Sequence, residues 1–331
     1  MKITVILCTY NRCRCLAKAL ESLAAQVVPT SVQWEVLVVD NNSTDQTQEV
    51  VEEFSGRQPD RFRYLLETRQ GKSYALNAGI RESRSEILAF TDDDAIAEPD
   101  WLWNLTSNLH DGEWAGSGGR IIPIWARPLP SWLSPDDPHT MGSFVAFDAG
   151  MEAGALNRPP YGANMAFRRE AFERYGGFRT DLGRSAGDLQ GREDIEFAGR
   201  LLARGERLRY EPGAVVRHPT PEYRMEKAYV LNWWFRFGYL EIAESGPPSD
   251  SRFLLKGVPF YLFRRLARWI FQWMISIYAP RRFACKRNVW YLAGIIRACY
   301  ERPRCQKAAA ATDERFDGQP KQRPLHIPTP K

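Results

Sequence analysis

The chain has few cysteines and no long apolar run. These two features argue against a disulfide-rich protein and against an integral membrane protein. Six cysteines among 331 residues are too few for a disulfide scaffold, so we expect reduced thiols. Cys13 and Cys15 lack the spacing of a CxxC metal or redox pair. The longest apolar candidate, Trp269 to Ala279, has 11 residues and includes Gln272, whereas a spanning helix needs roughly 18. We therefore expect no integral membrane protein and, since no small-residue cleavage site follows the short apolar start, no signal peptide.

Basic and acidic residues are distributed unevenly along the chain, whose formal net charge is +5. Residues 1–251 hold 28 Lys and Arg against 36 Asp and Glu, a net charge of −8. Residues 252–307 hold 13 basic residues against Glu301 alone, a net charge of +12, and the last 24 residues add +1. This division predicts an acidic catalytic body followed by a basic attachment surface.

Short apolar segments alternate with segments of helical periodicity in the first part of the chain. Residues 3–8, 35–39 and 86–90 are rich in β-branched and apolar residues, which is typical of buried strands. This alternation predicts a mostly parallel sheet with helices on both faces. Ligands of such sheets bind at the carboxyl ends of the strands. The polar residues predicted at those ends are Thr9, Asp40 and Asp92 to Asp94.

Three consecutive carboxylates, Asp92 to Asp94, directly follow the strand predicted at 86–90. Such a cluster is costly unless a cation neutralises it. Oxygen ligands suit Mg²⁺ or Mn²⁺, and these ions commonly bridge to phosphate oxygens. A solvated acidic loop would be the simpler interpretation of the run alone. Because Asp40 ends a second predicted strand, we favour a divalent metal site at this edge of the sheet.

Two further positions near the strand ends have weaker signals. Asp40 could accept hydrogen bonds from a nucleobase or a ribose hydroxyl, although the same position is typical of helix capping. Gly71 and Lys72 lie at a predicted helix start, where they could approach a diphosphate or only cap the helix. An ATPase is excluded, because Leu66 stands where the phosphate-binding motif GxxxxGK[ST] requires glycine.

The second half of the chain adds two carboxylates and a histidine. Glu193 and Asp194 open a predicted helix, where a carboxylate could accept a proton from a hydroxyl or only compensate the helix dipole. His218 follows a strand-like segment, and neutral imidazole is a good ligand for Mn²⁺ or a neighbour for a phosphate. A lone histidine is more often structural, so position alone leaves these alternatives open.

Seven motifs in this order resemble the family 2 inverting glycosyltransferases, which use nucleotide sugars and have the GT-A fold. The motifs are TVILCTYNR (4–12), VVDNNSTDQT (38–47), GKSYALNAGI (71–80), FTDDDA (90–95), YGANMAFRREAFERYGGF (161–178), GREDIEFAGRLLARG (191–205) and YEPGAVVRHP (210–219). They cover about residues 1–220, and their combination is far more specific than any one of them. The resemblance implies an α/β fold with a Rossmann-like, mostly parallel mixed sheet flanked by helices, and a C-terminal helical extension.

The resemblance also implies which residues bind the donor and a metal. Those expected to bind the nucleotide sugar are Thr9, Tyr10, Asn11, Asp40, Gly71, Lys72, Asp92 and Asp93. The first four would line the base pocket, Lys72 would lie near the base or diphosphate, and Asp92 and Asp93 would face the sugar and ribose. Asp94, together with Asp92, would hold Mn²⁺ or Mg²⁺ against the diphosphate. His218 would complete the metal or phosphate shell.

For the acceptor, the resemblance implies a general base and residues that form the floor of the binding site. Asp194 would take the proton of the acceptor hydroxyl, Glu193 would orient the acceptor, and Gly162 and Asn164 would belong to the floor between donor and acceptor. A single attack on the anomeric carbon, with a metal offsetting the charge of the leaving nucleoside diphosphate, would invert the anomer. The implied activity is a hexosyltransferase of bacterial-type cell-surface glycan or glycolipid synthesis.

Three regions are expected along the chain. Residues 1–225 would form the GT-A catalytic domain, with a nucleotide-binding part at about 1–111 and an acceptor part at about 112–225. Residues 226–307 would form a basic, aromatic and amphipathic helical extension. The Pro-rich polar tail, 308–331, is expected to be disordered.

The basic extension predicts a peripheral position on a membrane. Arg264, Arg265 and Arg268 lie among Phe, Leu and Trp, a pattern typical of an amphipathic helix on an anionic membrane surface. Helices that pack on the catalytic body with solvated arginines are the alternative. The membrane interpretation is favoured because +12 over 56 residues exceeds what packing requires, and a lipid-linked acceptor would be consistent with it. We therefore expect a cytoplasmic protein on the inner face of the cell membrane.

Two other functions are alternatives to this one. A sugar-1-phosphate nucleotidyltransferase expects a Gly-rich loop after the first strand, whereas the sequence there is CTYNRCRC (8–15). A non-catalytic membrane-surface protein built on an inactive GT-A domain remains the alternative. Binding to nucleic acid is not expected, because a body with a net charge of −8 would repel a polyanion.

Overall fold

The computed structural model describes residues 1–183, 191–246, 254–255 and 257–310. The chain divides into two compact units. The first unit comprises residues 1–124 and 145–220, and the second comprises residues 125–144 and the chain from 221 onward. Residues 125–144 thus belong with the C-terminal helices, although they fall inside the acceptor part predicted at 112–225. The functional labels of the predicted regions stay predictions.

A nine-stranded mixed sheet forms the centre of the first unit. Its strands are β1 (Lys2–Thr9), β2 (Gln33–Asp40), β3 (Phe62–Leu66), β4 (Ile87–Asp92), β5 (Ile96–Ala97), β6 (Gly116–Trp125), β7 (Gly154–Leu156), β8 (Met165–Arg168) and β9 (Leu208–Thr220). Their order is β3-β2-β1-β4-β8-β6-β9-β5, and β7 pairs with β9. The first four strands of that order are parallel, and β8 is antiparallel to both β4 and β6. The predicted α/β class with a mixed sheet is confirmed.

Ten helices occur in the described part of the chain. They are α1 (Cys13–Ala24), α2 (Thr47–Arg57), α3 (Lys72–Glu82), α4 (Trp101–Thr106), α5 (Pro138–Gly142), α6 (Arg169–Tyr175), α7 (Glu193–Ala203), α8 (Lys227–Ser245), α9 (Phe260–Ile275) and α10 (Ala279–Ala310). Two short 3₁₀ turns lie at Ser107–Leu109 and Glu222–Met225. The helix α1 shows how the sequence folds locally, because its apolar residues recur at helical spacing and Leu16, Leu20 and Leu23 are buried against the sheet.

Strand register brings the predicted polar residues to one edge of the sheet. Most side chains of β1, β2 and β4 are buried, as expected for central parallel strands rich in Val, Ile and Leu. Thr9 pairs with Asp40 across β1 and β2, and Cys8 pairs with Asp92 across β1 and β4. Because parallel strands end on the same side, the loops that follow them meet there.

The strand β9 runs through Pro212 and Gly213, although both are typical turn residues. It is one long strand that pairs with β7 near its start and with β5 near its end. Pairing with two different partners carries the strand across the turn-forming residues, and the Asn104 amide donates a hydrogen bond to the Gly213 carbonyl.

The second unit is built from α5, α8, α9 and α10 with a two-stranded ribbon of β10 (Leu254–Leu255) and β11 (Val258–Pro259). Its small apolar cluster includes Ile242, Leu262 and Leu292. None of the helices in the described residues is long and apolar enough to cross a bilayer. Of the tail predicted to be disordered, 308–310 end α10, and 311–331 lie outside the described residues.

Candidate active site

Asp92, Asp94 and His218 form a candidate metal site in the first unit. One ligand atom from each residue can be chosen so that all three atoms lie within 4.8 Å of one another. His218 Nε2 is 3.2 Å from Asp94 Oδ1. His218 is only 3% exposed, and its buried Nδ1 has no hydrogen-bond partner among the described residues. Two carboxylates and one imidazole suit Mn²⁺ or Mg²⁺, so the residues present fit such an ion.

Arg12 pairs with two of the three consecutive carboxylates, Asp93 and Asp94. Its guanidinium contacts Asp93 Oδ1 at 3.0 Å and Asp94 Oδ2 at 2.6 Å, and its side chain is 40% exposed. Sequence reasoning missed this residue, although it lies one position after the predicted base-pocket residue Asn11. The available signal was its position beyond the end of β1, on the same edge as the acidic run.

The two acids that pair with Arg12 have opposite pKa shifts. Burial raises the pKa of Asp93 to about 7, against the charge of Arg12 and a hydrogen bond from the Thr9 hydroxyl at 2.8 Å. Burial alone would also raise the pKa of Asp94, but the hydrogen bond with His218 and the charge of Arg12 outweigh it, so that pKa lies well below its ordinary range. Asp94 is therefore the ionised member of the pair at neutral pH.

Lys72 connects the acidic run to the carboxylates of α7. Its Nζ is 2.7 Å from Asp92 Oδ1 and 3.8 Å from Glu193 Oε1. Burial would lower the pKa of Lys72, but the charges of Asp92, Glu193 and Asp194 raise it above its ordinary value. Lys72 is therefore a fixed cation between the two acidic groups.

Gly71 places Lys72 at the first position of α3. Its φ of +134° lies in a region that L side chains rarely adopt. Its amide donates a 2.8 Å hydrogen bond to the Asn41 side-chain oxygen, which ties the helix start to the loop after β2. The glycine is thus required by the backbone, whatever contact it makes with a donor.

The helix α7 presents Glu193 and Asp194 in its first turn. Phe197, fully buried one turn later, stacks on Phe172 with ring centroids 4.4 Å apart and contacts Phe167 at 5.0 Å. These aromatic contacts fix the helix on the sheet. The two carboxylates at its N-terminus are stabilised by the helix dipole, so packing and dipole together set their position.

Asp194 is held by the backbone on the far side of the site. The Gly162 amide donates to Asp194 Oδ2 at 2.6 Å, and a Cβ added at Gly162 would lie 3.0 Å from that oxygen. Burial raises the pKa of Asp194, while Lys72 and the amide hydrogen bonds oppose the rise. A carboxylate with a raised pKa and a fixed position is suited to accept a proton.

Glu193 is more deeply buried than Asp194, with 2% of its surface exposed. Burial raises its pKa to about 7, against the charge of Lys72 and with support from the charge of Asp194. Its Oε2 has no hydrogen-bond partner among the described residues. Glu193 is therefore a buried carboxyl with one unpartnered oxygen, next to the half-buried Asp194 in the first turn of α7.

Asn164 lies beneath the site rather than in it. The residue is fully buried, and its amide nitrogen donates to the backbone oxygens of Arg120 and Ala214, both at 2.8 Å. Its oxygen accepts a 2.8 Å hydrogen bond from the Trp101 indole. These bonds support the predicted floor from below, and they do not favour direct contact between the Asn164 side chain and an acceptor.

The residues predicted to line a base pocket lie at the ends of β1 and β2. Asp40 is 3% exposed and accepts hydrogen bonds from the Ser43 amide at 2.9 Å and from the Tyr64 hydroxyl at 2.8 Å. Asn11, with a φ of +52°, accepts from the Thr44 amide at 2.7 Å. Tyr10 is 39% exposed. Tyr64 was missed, because strand pairing between β2 and β3 is needed to place it beside Asp40.

The structure brings all of the predicted site residues into the first unit. The contacts are those of Thr9 with Asp93, of His218 with Asp94, of Lys72 with Asp92 and Glu193, and of Gly162 with Asp194. Those predicted around the base, Tyr10, Asn11 and Asp40, lie at the same strand ends. This edge combines a candidate metal cluster, a half-buried lysine and three carboxyl groups with raised pKa values, those of Asp93, Glu193 and Asp194.

Comparisons with known proteins define the class. The sequence profile of glycosyl transferase family 2 matches residues 4–176. The mannosyltransferase PcManGT from Pyrobaculum calidifontis, solved in complex with GDP-Man and Mn²⁺, has the same fold, with a TM-score of 0.54 and 24% sequence identity. That likeness covers 95% of this chain and 76% of the mannosyltransferase. The fold is therefore that of a GT-A glycosyltransferase.

Two curated relatives place the chain within a family. It is 29% identical to the glucosyl-dolichyl phosphate glucuronosyltransferase of Haloferax volcanii over 244 residues, which cover 72% of this chain and 76% of the relative. It is 30% identical to the succinoglycan biosynthesis protein ExoM of Rhizobium meliloti over 239 residues, which cover 72% of this chain and 73% of the relative. The chain belongs to glycosyl transferase family 2 and is a glycosyltransferase of the hexosyltransferase class, which confirms the predicted family.

Proposed function

We propose that the protein transfers a sugar from a nucleoside-diphosphate sugar to an acceptor hydroxyl, with metal assistance and inversion of the anomer. The observation that carries the proposal is the arrangement at the strand ends. Asp92, Asp94 and His218 form a cluster fit for a divalent ion, and Lys72 lies between Asp92 and Glu193 of α7. A metal site and a base site within one edge are what a single displacement at an anomeric carbon requires.

The donor side would bind at the ends of β1, β2 and β4. Asp40 would accept hydrogen bonds from the base or ribose, since it is fixed by Ser43 and Tyr64. Asp92, Asp94 and His218 would hold Mn²⁺ or Mg²⁺, which when bound supplies positive charge to a leaving diphosphate. Lys72 would supply a second positive charge to the same region, because its cation is permanent.

The helix α7 would supply the two carboxylates that act on the acceptor. Asp194 would take the proton of the attacking hydroxyl, because the Gly162 amide fixes its orientation and burial raises its pKa. Glu193, whose buried Oε2 has no partner among the described residues, would help to orient the acceptor. With one base and no second carboxylate acting as nucleophile, a single displacement inverts the anomer.

The acceptor is proposed to be lipid-linked, in the synthesis of a cell-surface glycan or glycolipid. The Haloferax volcanii relative is named a glucosyl-dolichyl phosphate glucuronosyltransferase, and the Rhizobium meliloti relative is named for succinoglycan biosynthesis. The basic extension supports this setting, since residues 252–307 have a net charge of +12. A cytoplasmic protein at the inner face of the membrane would meet such an acceptor there.

A panel of UDP-, GDP- and dTDP-sugars tests the donor and the metal together. Thermal unfolding is measured with each compound in the presence of Mn²⁺ and again with EDTA. We expect one nucleotide class to raise Tm only when Mn²⁺ is present, because ligand that binds the folded state stabilises it. Equal stabilisation in EDTA would contradict the metal role. No stabilisation by any nucleotide sugar would favour the non-catalytic alternative.

A further inference from the structure

The outer face of α9 exposes large apolar side chains at helical spacing. Phe260, Phe271, Met274 and Ile275 are 51%, 58%, 65% and 59% exposed. The chain continues past the helix into Ile277, which is 94% exposed, and Tyr278, which is 70% exposed. Exposed apolar patches of this kind mark interaction surfaces in folded proteins. We call this set, with the arginines described next, the α9 surface.

Arginines are the charged residues of the α9 surface. Arg264 and Arg268 are exposed on α9 between Phe260 and Phe271, and Arg281 and Arg282 are exposed at the start of α10. The sequence has no Asp or Glu from 251 to 300. None of these four arginines forms an ion pair with a residue in the described part of the chain. The surface is therefore apolar and positively charged, with no acidic group of its own segment to balance it.

The inner face of the same helix is apolar too. Leu262 is 2% exposed, and Phe263, Leu266 and Trp269 pack against the apolar cluster of the second unit. A helix that is apolar on both faces has not buried all of its apolar surface by packing within its own unit. The exposed face thus has no role in the internal packing of this unit. Its apolar side chains are explained by contact with something outside the unit.

We propose that the α9 surface lies on an anionic lipid bilayer, with Phe271, Met274 and Ile277 in the interfacial region and the arginines at the headgroups. The composition favours a bilayer over a second copy of this chain, because the surface repels its own positive charge. Arginine stems can also lie along apolar surface while their guanidinium groups reach lipid phosphates. The inference rests on the membrane setting of the proposed function and deepens it by naming the residues that make contact.

Vesicle binding by the full chain tests the surface. Co-sedimentation is measured with phosphatidylcholine vesicles and with vesicles that also contain phosphatidylglycerol, at low and at high salt. We expect strong binding only to the phosphatidylglycerol vesicles at low salt, because surface potential attracts the arginines and salt screens it. Binding that is equal on both vesicle types would overturn the role of the arginines, and no binding would overturn the proposal.

Two double variants separate charge from apolar insertion. Arg264→Gln with Arg268→Gln should weaken binding to phosphatidylglycerol vesicles about 20-fold. The charge-matched control, Arg84→Gln with Arg204→Gln in the first unit, should leave it unchanged, since both control residues are exposed outside this surface.

Phe271→Ser with Ile277→Ser should weaken binding at least about tenfold, because both side chains leave water on insertion. Met151→Ser, at a residue that is 73% exposed in the first unit, is the control. Wild-type binding by the Phe271 and Ile277 variant would overturn the proposal. So would sedimentation velocity that shows a wild-type dimer dissociated by the same variant, because a second copy would then cover the face.

Measuring donor binding in the same variants separates a failure of the surface proposal from a failure of the proposed function. Each variant is also assayed for nucleotide-sugar stabilisation with Mn²⁺, which should be unchanged because the α9 surface is not part of the first unit. Loss of vesicle binding with intact donor binding supports the surface. Failure of donor binding in the wild type, with vesicle binding intact, would contradict the catalytic proposal and leave the surface standing.

Discussion

Arginines of the two units are balanced in different ways. At the strand ends of the first unit, Arg12 contacts two carboxylates, Asp93 and Asp94, within 3.0 Å. On the second unit, Arg264 and Arg268 are exposed without an ion pair to any described residue. Arg287 of the same unit is instead buried, with two contacts to Asp137 at 2.8 and 2.9 Å.

The difference separates three uses of one side chain. A guanidinium beside several carboxylates offsets part of their mutual repulsion in the folded protein, until a bound ligand or metal takes its place. A buried guanidinium with a single carboxylate holds a loop to a helix, as Arg287 does for the start of α5. An exposed guanidinium without a partner is available to an external anion. Net charge alone, −8 in one region and +12 in another, could not tell these uses apart.

The largest expected effect is on nucleotide-sugar binding and comes from removing the Asp94 carboxylate. Asp94→Ala should lower the affinity for the nucleotide sugar in Mn²⁺ by about 100-fold or more, because the metal loses its ionised ligand. Isothermal calorimetry with and without Mn²⁺ measures the loss. Glu113→Gln, which removes an exposed carboxylate paired with Arg207 in the same unit, is the control and should bind normally. Donor binding by Asp94→Ala at wild-type strength would show that the cluster is not the metal site.

A stability effect should follow in the second unit. Arg287→Met leaves Asp137 partly buried without its cation, and breaking a buried pair costs about 3 kcal/mol or more. Denaturant unfolding should show that loss, while Arg57→Met, in an exposed pair with Glu53, should cost less than about 1 kcal/mol.

The double variant Asp137→Asn with Arg287→Met serves as the internal check on that prediction. Because it removes the stranded charge as well, it should recover part of the stability lost in Arg287→Met. A double variant no more stable than the single one would mean that packing, rather than charge, accounts for the loss.

Glu193 should make stability depend on pH in the nucleotide-free protein. Its pKa of about 7 in the folded state exceeds the ordinary value near 4.5 expected in the unfolded chain. Between those values the folded state binds more protons, so stability should fall as pH rises, by at most about 1.4 kcal/mol per pH unit from this group. Glu193→Gln should flatten the profile of Tm against pH in that window. An unchanged slope would show that Glu193 does not titrate there.

The smallest effect is expected at Arg12. Because its guanidinium occupies oxygens of Asp93 and Asp94, Mn²⁺ must compete with it when no nucleotide is present. Arg12→Met should therefore raise the affinity for Mn²⁺ alone by about fivefold, measured from the electron spin resonance signal of free Mn²⁺. Weaker Mn²⁺ binding in the variant would show that Arg12 orients the carboxylates and does not compete with the metal.

The sequence was informative where a residue's position follows from strand order. Asp40 and Asp92 could be placed on one edge, because parallel strands end on the same side. Gly162 could be assigned to the floor through the family resemblance, but its hydrogen bond to Asp194 became visible only in the structure.

Other features depend on pairings that no local pattern encodes. Tyr64 contacts Asp40 because β3 lies beside β2. The side chain of Asn164 forms hydrogen bonds with residues of three elements that are distant in sequence. The strand β9 runs through Pro212 and Gly213 because it has partners on both sides of them. The burial that raises the pKa values of Glu193 and Asp194 is likewise a property of the folded chain.

We propose that Asp194 takes the acceptor proton while the strand ends bind the donor. The direct measurement is the rate of sugar transfer by Asp194→Asn, to acceptor in a lipid extract, alongside its calorimetric affinity for the donor with Mn²⁺. We predict that the rate falls by about 100-fold or more while the affinity stays within about twofold, since only the base is lost. An unchanged rate, or an affinity that falls as far as the rate, would contradict this assignment.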